Sequence, residues 1–286
     1  MNHLLFNQQI WEKAWEQDPN TSLKRMKKAG LPTYESQGFS KWAKAYNETS
    51  FSMQGQNRSA RIMKWIEQQV SSFEGMSILD IGAASGVFSI PFAQKGARVT
   101  AVEPSKELTD MLKNNASTHS VEISILNKPF EAIADKPTAS FDLVFASMCP
   151  AITDWTAAQK AMSFAKKYFY SSMMAGPKRN YLMEEILSAL GIENEPVHSS
   201  DMAYLLHLLY LEGYTYQSLI EKHEQTTMMR LEEIISQLPT WFRDYGIDAD
   251  SDLMAKAEKY LRDSSKKEWS VLTGGKFGKV LVYLDN

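Results

Sequence analysis

Four residues frame the chemistry open to this chain: Asp80, Gly82, Gly86 and Glu103. Glycines lack a Cβ, so a ligand can come up against bare backbone. A helix starting just after them would turn its unpaired N–H groups toward that ligand. A carboxylate at the end of the next strand could take both hydroxyls of a ribose. The set suits a nucleoside, and the spacing narrows the choice. A dinucleotide pyrophosphate asks for G-x-G-x-x-G, whereas Ala84 stands between Gly82 and Gly86, and the lysine of a P-loop is missing. The plain alternative is a βαβ unit whose glycines only turn the chain.

The elements that must hold these residues follow from the pattern of apolar positions. Ser77 to Ile81 predicts a strand, Val87 to Lys95 a helix stopped by Gly96, and Ala97 to Val102 a second strand with Glu103 at its carboxyl end. In an open parallel sheet, ligands sit outside the carboxyl ends of the strands. Asp80-x-Gly82-x-x-x-Gly86 with Glu103 resembles motif I and the acidic motif II of class I S-adenosyl-L-methionine (SAM)-dependent methyltransferases, with Ala84 in place of their middle glycine. The resemblance covers about Gly75 to Gly176. It extends to Phe141-Asp142-Leu143-Val144, which is similar to the family's fourth strand, and to Trp42 with Tyr46, similar to a segment that precedes its core.

The resemblance implies an α/β, Rossmann-like, seven-stranded sheet, mostly parallel with an antiparallel last strand, helices on both faces and an added helical cap. It implies SAM as cofactor and S-adenosyl-L-homocysteine as product. Carried over residue by residue, Asp80, Gly82, Ala84 and Gly86 would seat the methionine portion, and Glu103, followed by Pro104, the ribose. Asn127, Lys128, Pro129 and Phe130 would border the adenine, and Ser147, Met148 and Tyr46 the methyl. Arg58, with Arg61 as competitor, would take the SAM carboxylate. Phe130 could equally be core, and Trp42 and Tyr46 could simply pack one helix face. The loop after the fourth strand suggests Cys149 and Trp155 as acceptor contacts. It lacks the Pro-Pro-aromatic motif of enzymes that methylate nucleic-acid amino groups, so DNA is not expected. Methyl transfer asks for alignment more than for acid–base groups. No catalytic residue is therefore dictated, and His207, His223 and Asp154 are weak candidates for a base.

Toward the N-terminus, Phe6 to Glu16 and Asn57 to Val70 carry amphipathic helical patterns, and Ser22 to Ala29 is a basic turn ended by Gly30. Beyond the core, Ala157 to Lys167 predicts a helix, Tyr168 to Gly176 a fifth strand and Tyr214 to Met229 a sixth. Arg230 to Leu238, Thr240 to Tyr245 and Ser251 to Arg262 predict three helical pieces broken at Pro239, before a closing strand over Gly275 to Leu284. The domains then run 1–72 (helical cap segment), 73–229 (core), 230–274 (helical insertion) and 275–286 (closing strand). Trp241, with Phe242 and Tyr245, could roof a substrate pocket or pack within the insertion.

The composition sets outer bounds. At 286 residues and 44% hydrophobic, the chain can bury a large core. Its net charge of −3 offers no general field for nucleic acid. The single cysteine excludes an internal disulfide and a Cys-rich zinc site, and no metal is expected. With neither a signal peptide nor an apolar run long enough to span a bilayer, a cytoplasmic protein with no membrane partner is expected. The expected activity is methylation of a small-molecule acceptor. The alternatives are an RNA or protein methyltransferase, for which only Lys24, Arg25, Lys27 and Lys28 speak, and a catalytically silent SAM-binding sensor or partner protein.

Overall fold

The computed structural model describes residues 2–28, 39–134, 140–264 and 266–284, with the side chains of residues 2, 3 and 39–41 left aside. The expected stop at Gly30 lies outside the described residues. In chain order the elements are α1 (Asn2–Leu5), α2 (Gln8–Gln17), α3 (Ser22–Lys28), α4 (Phe39–Ser50), α5 (Met53–Val70), β1 (Ser77–Ile81), α6 (Ser89–Gln94), β2 (Arg98–Val102), α7 (Lys106–Thr118), β3 (Ser124–Leu126), β4 (Phe141–Ser147), α8 (Trp155–Ser163), β5 (Ala165–Met174), β6 (Arg179–Asn180), α9 (Tyr181–Ala189), α10 (Asp201–Leu211), β7 (Thr215–Arg230), α11 (Leu231–Asp244), α12 (Ser251–Asp263) and β8 (Glu268–Tyr283).

The strands form one sheet in the order β3-β2-β1-β4-β5-β8-β6, with β7 on the far edge of β8. β1 to β5 run parallel, and β8 runs antiparallel to β5, β6 and β7. The strand order reverses between β1 and β4, so a crevice opens at the carboxyl ends of β1 and β2. One face is packed by α5 and α6 through Met63, Ile66, Phe88 and Phe92 against Ile78, Phe145, Tyr170 and Leu281. The other face is packed by α8 and α10, with Trp15 of α2 joining Leu205, Phe169 and Val282. Helix starts are capped by local side chains, as where Ser105 accepts from the Leu108 N–H at 3.2 Å.

The structure departs from expectation mostly at the far end of the chain. Eight strands are present among the described residues, the extra one being the two-residue β6. β5 starts three residues before Tyr168, because Phe141 already pairs with Ala165 across a register shift, and α8 stops at Ser163. Pro239 does not split α11, which runs from Leu231 to Asp244. Proline costs a helix one hydrogen bond, and the buried face of Ile234, Leu238, Trp241 and Phe242 carries α11 through it. The closing strand starts at Glu268 rather than Gly275, since β7 and β8 pair over their full lengths. The outer half of that ribbon carries a separate core, in which α9, α11 and α12 meet Trp269 and Val271.

Candidate active site

The turn after β1 is built from backbone that only small residues tolerate. Gly82 sits at φ +71° and Gly86 at φ +95°, with Ala84 at φ +48° between them. A Cβ on Gly82 would stand 2.6 Å from the Cys149 Sγ, so both conformation and space demand glycine there. Ala84 holds a left-handed conformation that glycine would adopt without strain. The turn is anchored from two sides. The Gly82 and Ala83 N–H groups donate to the Val102 carbonyl at 2.9 and 3.1 Å. Asn115 of α7 donates to the Ser85 carbonyl and to the Asn47 Oδ1 of α4, each at 2.9 Å.

Two carboxylates face this turn. Asp80 is buried and accepts from the Ser89 Oγ at 2.5 Å. Burial pushes its carboxyl up to about 7, the nearby Glu103 charge adding to the rise while bonds from Ser89 oppose it. Glu103, just beyond β2, accepts from the Ala84 N–H at 3.0 Å and from the Ser105 N–H at 2.9 Å. Burial raises its pKa too, against the pull of those two bonds. Each Glu103 oxygen thus carries one backbone bond and keeps a lone pair for a ligand hydroxyl. Tyr46 of α4 packs with Ala84 and Leu108 and stacks on Trp42 at 5.2 Å between ring centroids. Burial raises its hydroxyl pKa; the charge of Arg58 opposes the rise, and those of Asp80 and Glu103 add to it, so all four residues share one electrostatic neighbourhood. Arg58 itself is solvent-exposed.

The rim of the crevice continues along β3 and β4. Asn127 uses its amide N–H groups on the Glu103 and Pro104 carbonyls, at 2.9 and 3.0 Å, which ties the end of β3 to the end of β2. Its oxygen is left as an acceptor, and Lys128 beside it is exposed. Pro129 precedes a short 3-10 turn. Ser147 ends β4 with its hydroxyl 3.0 Å from that of Ser172. Met148 follows at φ +50°, 47% exposed, a strained conformation of the kind that clusters at binding sites.

Several expected site residues are placed elsewhere. Phe130 is buried on the α8 face, against Phe164 and under the Lys160 ammonium, so it packs the core and not an adenine. Trp155 is likewise buried there, beside Tyr214. Trp241 is buried in the core of the insertion and roofs no pocket. Cys149 does line the underside of Gly82, but burial pushes its thiol up to about 12, which leaves an inert packing group. None of the three candidate bases reaches the crevice. Asp154 caps α8 by accepting from the Ala157 N–H at 2.8 Å. His207 lies 2.9 Å from the Leu5 carbonyl, edge-on to Trp11. His223 lies on the exposed β7 edge near Phe277. The basic run of α3 is also occupied: Lys24 donates to the Asp18 carbonyl, Arg25 faces Asp244 at 3.5 Å and Lys28 faces Asp248 at 3.8 Å. Ser89 and Ser172 had no motif to mark them; only folding brings them beside Asp80 and Ser147.

Residues 78–168, which span β1 to the early part of β5, match a family model described as a methyltransferase domain. A ubiquinone biosynthesis O-methyltransferase from Coxiella burnetii is 35% identical over 82 residues, 29% of this chain and 34% of its own length. The chain therefore spans about a third of the length of the first curated relatives it matches. A ubiquinone biosynthesis O-methyltransferase from Leptothrix cholodnii is 26% identical over 196 residues, 65% of this chain and 70% of its own. Among solved structures, phosphoethanolamine N-methyltransferase 2 from Haemonchus contortus superposes with a TM-score of 0.52 at 14% identity, covering 90% of this chain and 61% of that one, a likeness of fold. No helix among the described residues is long and apolar enough to cross a membrane. The segment that matches the methyltransferase domain, residues 78–168, thus holds the glycine turn and its acid in register at the ends of β1 and β2.

Proposed function

We propose that this chain binds SAM in the crevice at the ends of β1 and β2 and methylates a small-molecule acceptor. The observation that carries the reading is the Glu103 carboxylate, pinned by the Ala84 and Ser105 N–H groups directly over a turn that excludes a side chain at Gly82. The residues present suit the cofactor. Glu103 would take the ribose hydroxyls, the Asn127 oxygen an amino donor on the adenine, and Asp80 and Tyr46 the methionine end. Arg58, exposed on α5 beside Tyr46, would reach the carboxylate by a side-chain rotation.

SAM, when bound, supplies an electrophilic methyl on a sulfonium. The protein's share is alignment and exclusion of water. Rigid anchoring of the glycine turn fixes the donor, and the ends of β4 and β5 offer Ser147, Met148 and Ser172 to the acceptor side. The relatives named as O-methyltransferases support an oxygen acceptor, and a cytoplasmic setting belongs to the same proposal. The contacts that Lys24, Arg25 and Lys28 make within the fold count against the RNA alternative. The test is calorimetric titration with S-adenosylhomocysteine on the wild type and on Glu103→Ala, followed by SAM turnover with a small-molecule panel. Tight binding that the substitution abolishes supports the reading; no binding to the wild type refutes it.

A further inference from the structure

Strand β7 forms one edge of the sheet. It pairs with β8 along its whole length, and among the described residues no strand pairs with its other side. A long open edge is a hazard, because its row of unpaired N–H and C=O groups invites a second chain. Edges are commonly blunted by shortness, a proline or a bulge. β7 has sixteen residues, no proline and an unbroken register against β8. None of its residues is buried, and Leu219, Ile220 and Met228 are exposed apolar side chains on it. Its side-chain bonds to the body of the fold are few. The Tyr216 hydroxyl donates to the Leu206 carbonyl at 3.4 Å, Glu221 accepts from Lys279 at 2.8 Å, and Glu224 accepts from Tyr181 at 3.1 Å.

We propose that β7 pairs antiparallel with β7 of a second copy of this chain, joining two sheets across a two-fold axis normal to them. Such an axis keeps each face of the strand on its own side, so one residue must meet its own copy at the axis. Only Lys222 or His223 at that point leaves no more than one residue of β7 unpaired. Lys222 there would set two ammonium groups against each other. His223 there instead sets Lys222 opposite Glu224 of the second copy, and Glu224 opposite its Lys222. Within one chain the Lys222 Nζ already lies 2.7 Å from the Glu224 Oε1, so the pairing closes a ring of four alternating charges. In the same register Glu221 meets the neutral Gln225, and Ile220 comes within diagonal reach of Met228 of the second copy, so exposed apolar groups cover each other. Pairing from Tyr216 to Arg230 makes about 15 backbone hydrogen bonds, against about 10 across an ordinary interface. Charges that complement themselves about the midpoint of the strand favour a second copy over a peptide from another protein. The inference does not depend on the proposed function.

The test is sedimentation equilibrium of the full chain at pH 8 and low salt. The wild type is expected to show twice the chain mass at micromolar concentration. Lys222→Glu and Glu224→Lys should each weaken dimerisation by about tenfold or more, because each turns two attractive cross-strand pairs into repulsive ones. Mixed together, the two variants should form a heterodimer, since each supplies the charge that the other lacks. His223→Cys should cross-link to its own copy on mild oxidation, because directly opposed Cα atoms stand about 4.5–5.5 Å apart, within disulfide reach. Gln217→Cys, which would face Met229 of the second copy, should not. The cross-link decides the matter should a charge variant fail to fold. A monomeric wild type overturns the proposal and leaves the edge to an extended peptide of another protein. A wild-type dimer that both charge variants keep at full strength, or in which His223→Cys fails to cross-link, overturns it as well.

Discussion

The Cys149 Sγ lies 2.6 Å from the point where a Cβ on Gly82 would stand, so the loop after β4 closes directly against the glycine turn. Gly82→Ala therefore carries two separable costs, a contact with sulfur and a left-handed backbone at φ +71°. The backbone alone costs an alanine roughly 1–2 kcal/mol. Gly82→Ala should lower the melting temperature and cofactor affinity together. Adding Cys149→Ala should recover part of the loss, because the nearest remaining atom is then the residue-149 Cβ at 3.4 Å. Cys149→Ala alone should leave cofactor affinity nearly unchanged. A full recovery in the double variant would mean that the backbone conformation carries no cost.

Asp80 predicts a pH dependence of definite sign. Its carboxyl titrates near 7 in the fold against 3.8 for an ordinary aspartate, so the native state binds the proton more tightly than the unfolded chain. Stability of the free protein should fall as pH rises from about 3.8 to about 7 and then level off. A cationic ligand wants the ionised form, so SAM affinity should rise by about tenfold from pH 6 to pH 8. Asp80→Asn should flatten both profiles, raise the melting temperature at pH 8 and weaken SAM. Calorimetry and thermal melts across that range check it.

Glu103→Gln should separate the acid's two duties. The amide oxygen can keep one backbone bond, from Ala84 or from Ser105, but offers ribose hydroxyls a weaker acceptor. A lost charge-assisted hydrogen bond costs about 1.5–3 kcal/mol, so affinity for S-adenosylhomocysteine should drop at least about tenfold. Affinity for the cofactor equal to the wild type's would take the ribose away from Glu103.

Trp241→Ala should be a stability variant and nothing more. Its indole is 7% exposed in the core of α9, α11 and α12. Truncating a buried tryptophan costs about 3–5 kcal/mol. Denaturant melts should show that loss, or an early phase for the insertion alone, with cofactor affinity unchanged at temperatures where the protein is folded. A selective loss of cofactor or acceptor binding would return Trp241 to the site.

The glycine turn and the acid beside it were legible in the chain because their causes are local. Strand, tight turn, helix and acid lie within residues 77–105 and depend on positive-φ backbone and short-range periodicity. The same locality let Asp80, Gly82 and Glu103 be placed by spacing alone. Trp155, Phe130 and Trp241 show where that logic stops. An aromatic reads the same in sequence whether it lines a pocket or fills a core, and only the packing partners decide between them. His207 and His223 likewise look like bases until their neighbours, the Leu5 carbonyl and Phe277, are known.

What the amino-acid sequence determined by itself was the methyltransferase resemblance, the positive-φ turn from Gly82 to Gly86 and the acid beside it, since each is encoded within one supersecondary unit. Tertiary structure alone decided the rest. It carried α11 through Pro239, because burial of one helix face outweighs a missing hydrogen bond. It also brought Trp65, Ser172, Glu221 and Lys279 together from four elements, and no local pattern records a cluster whose members meet only when a sheet closes.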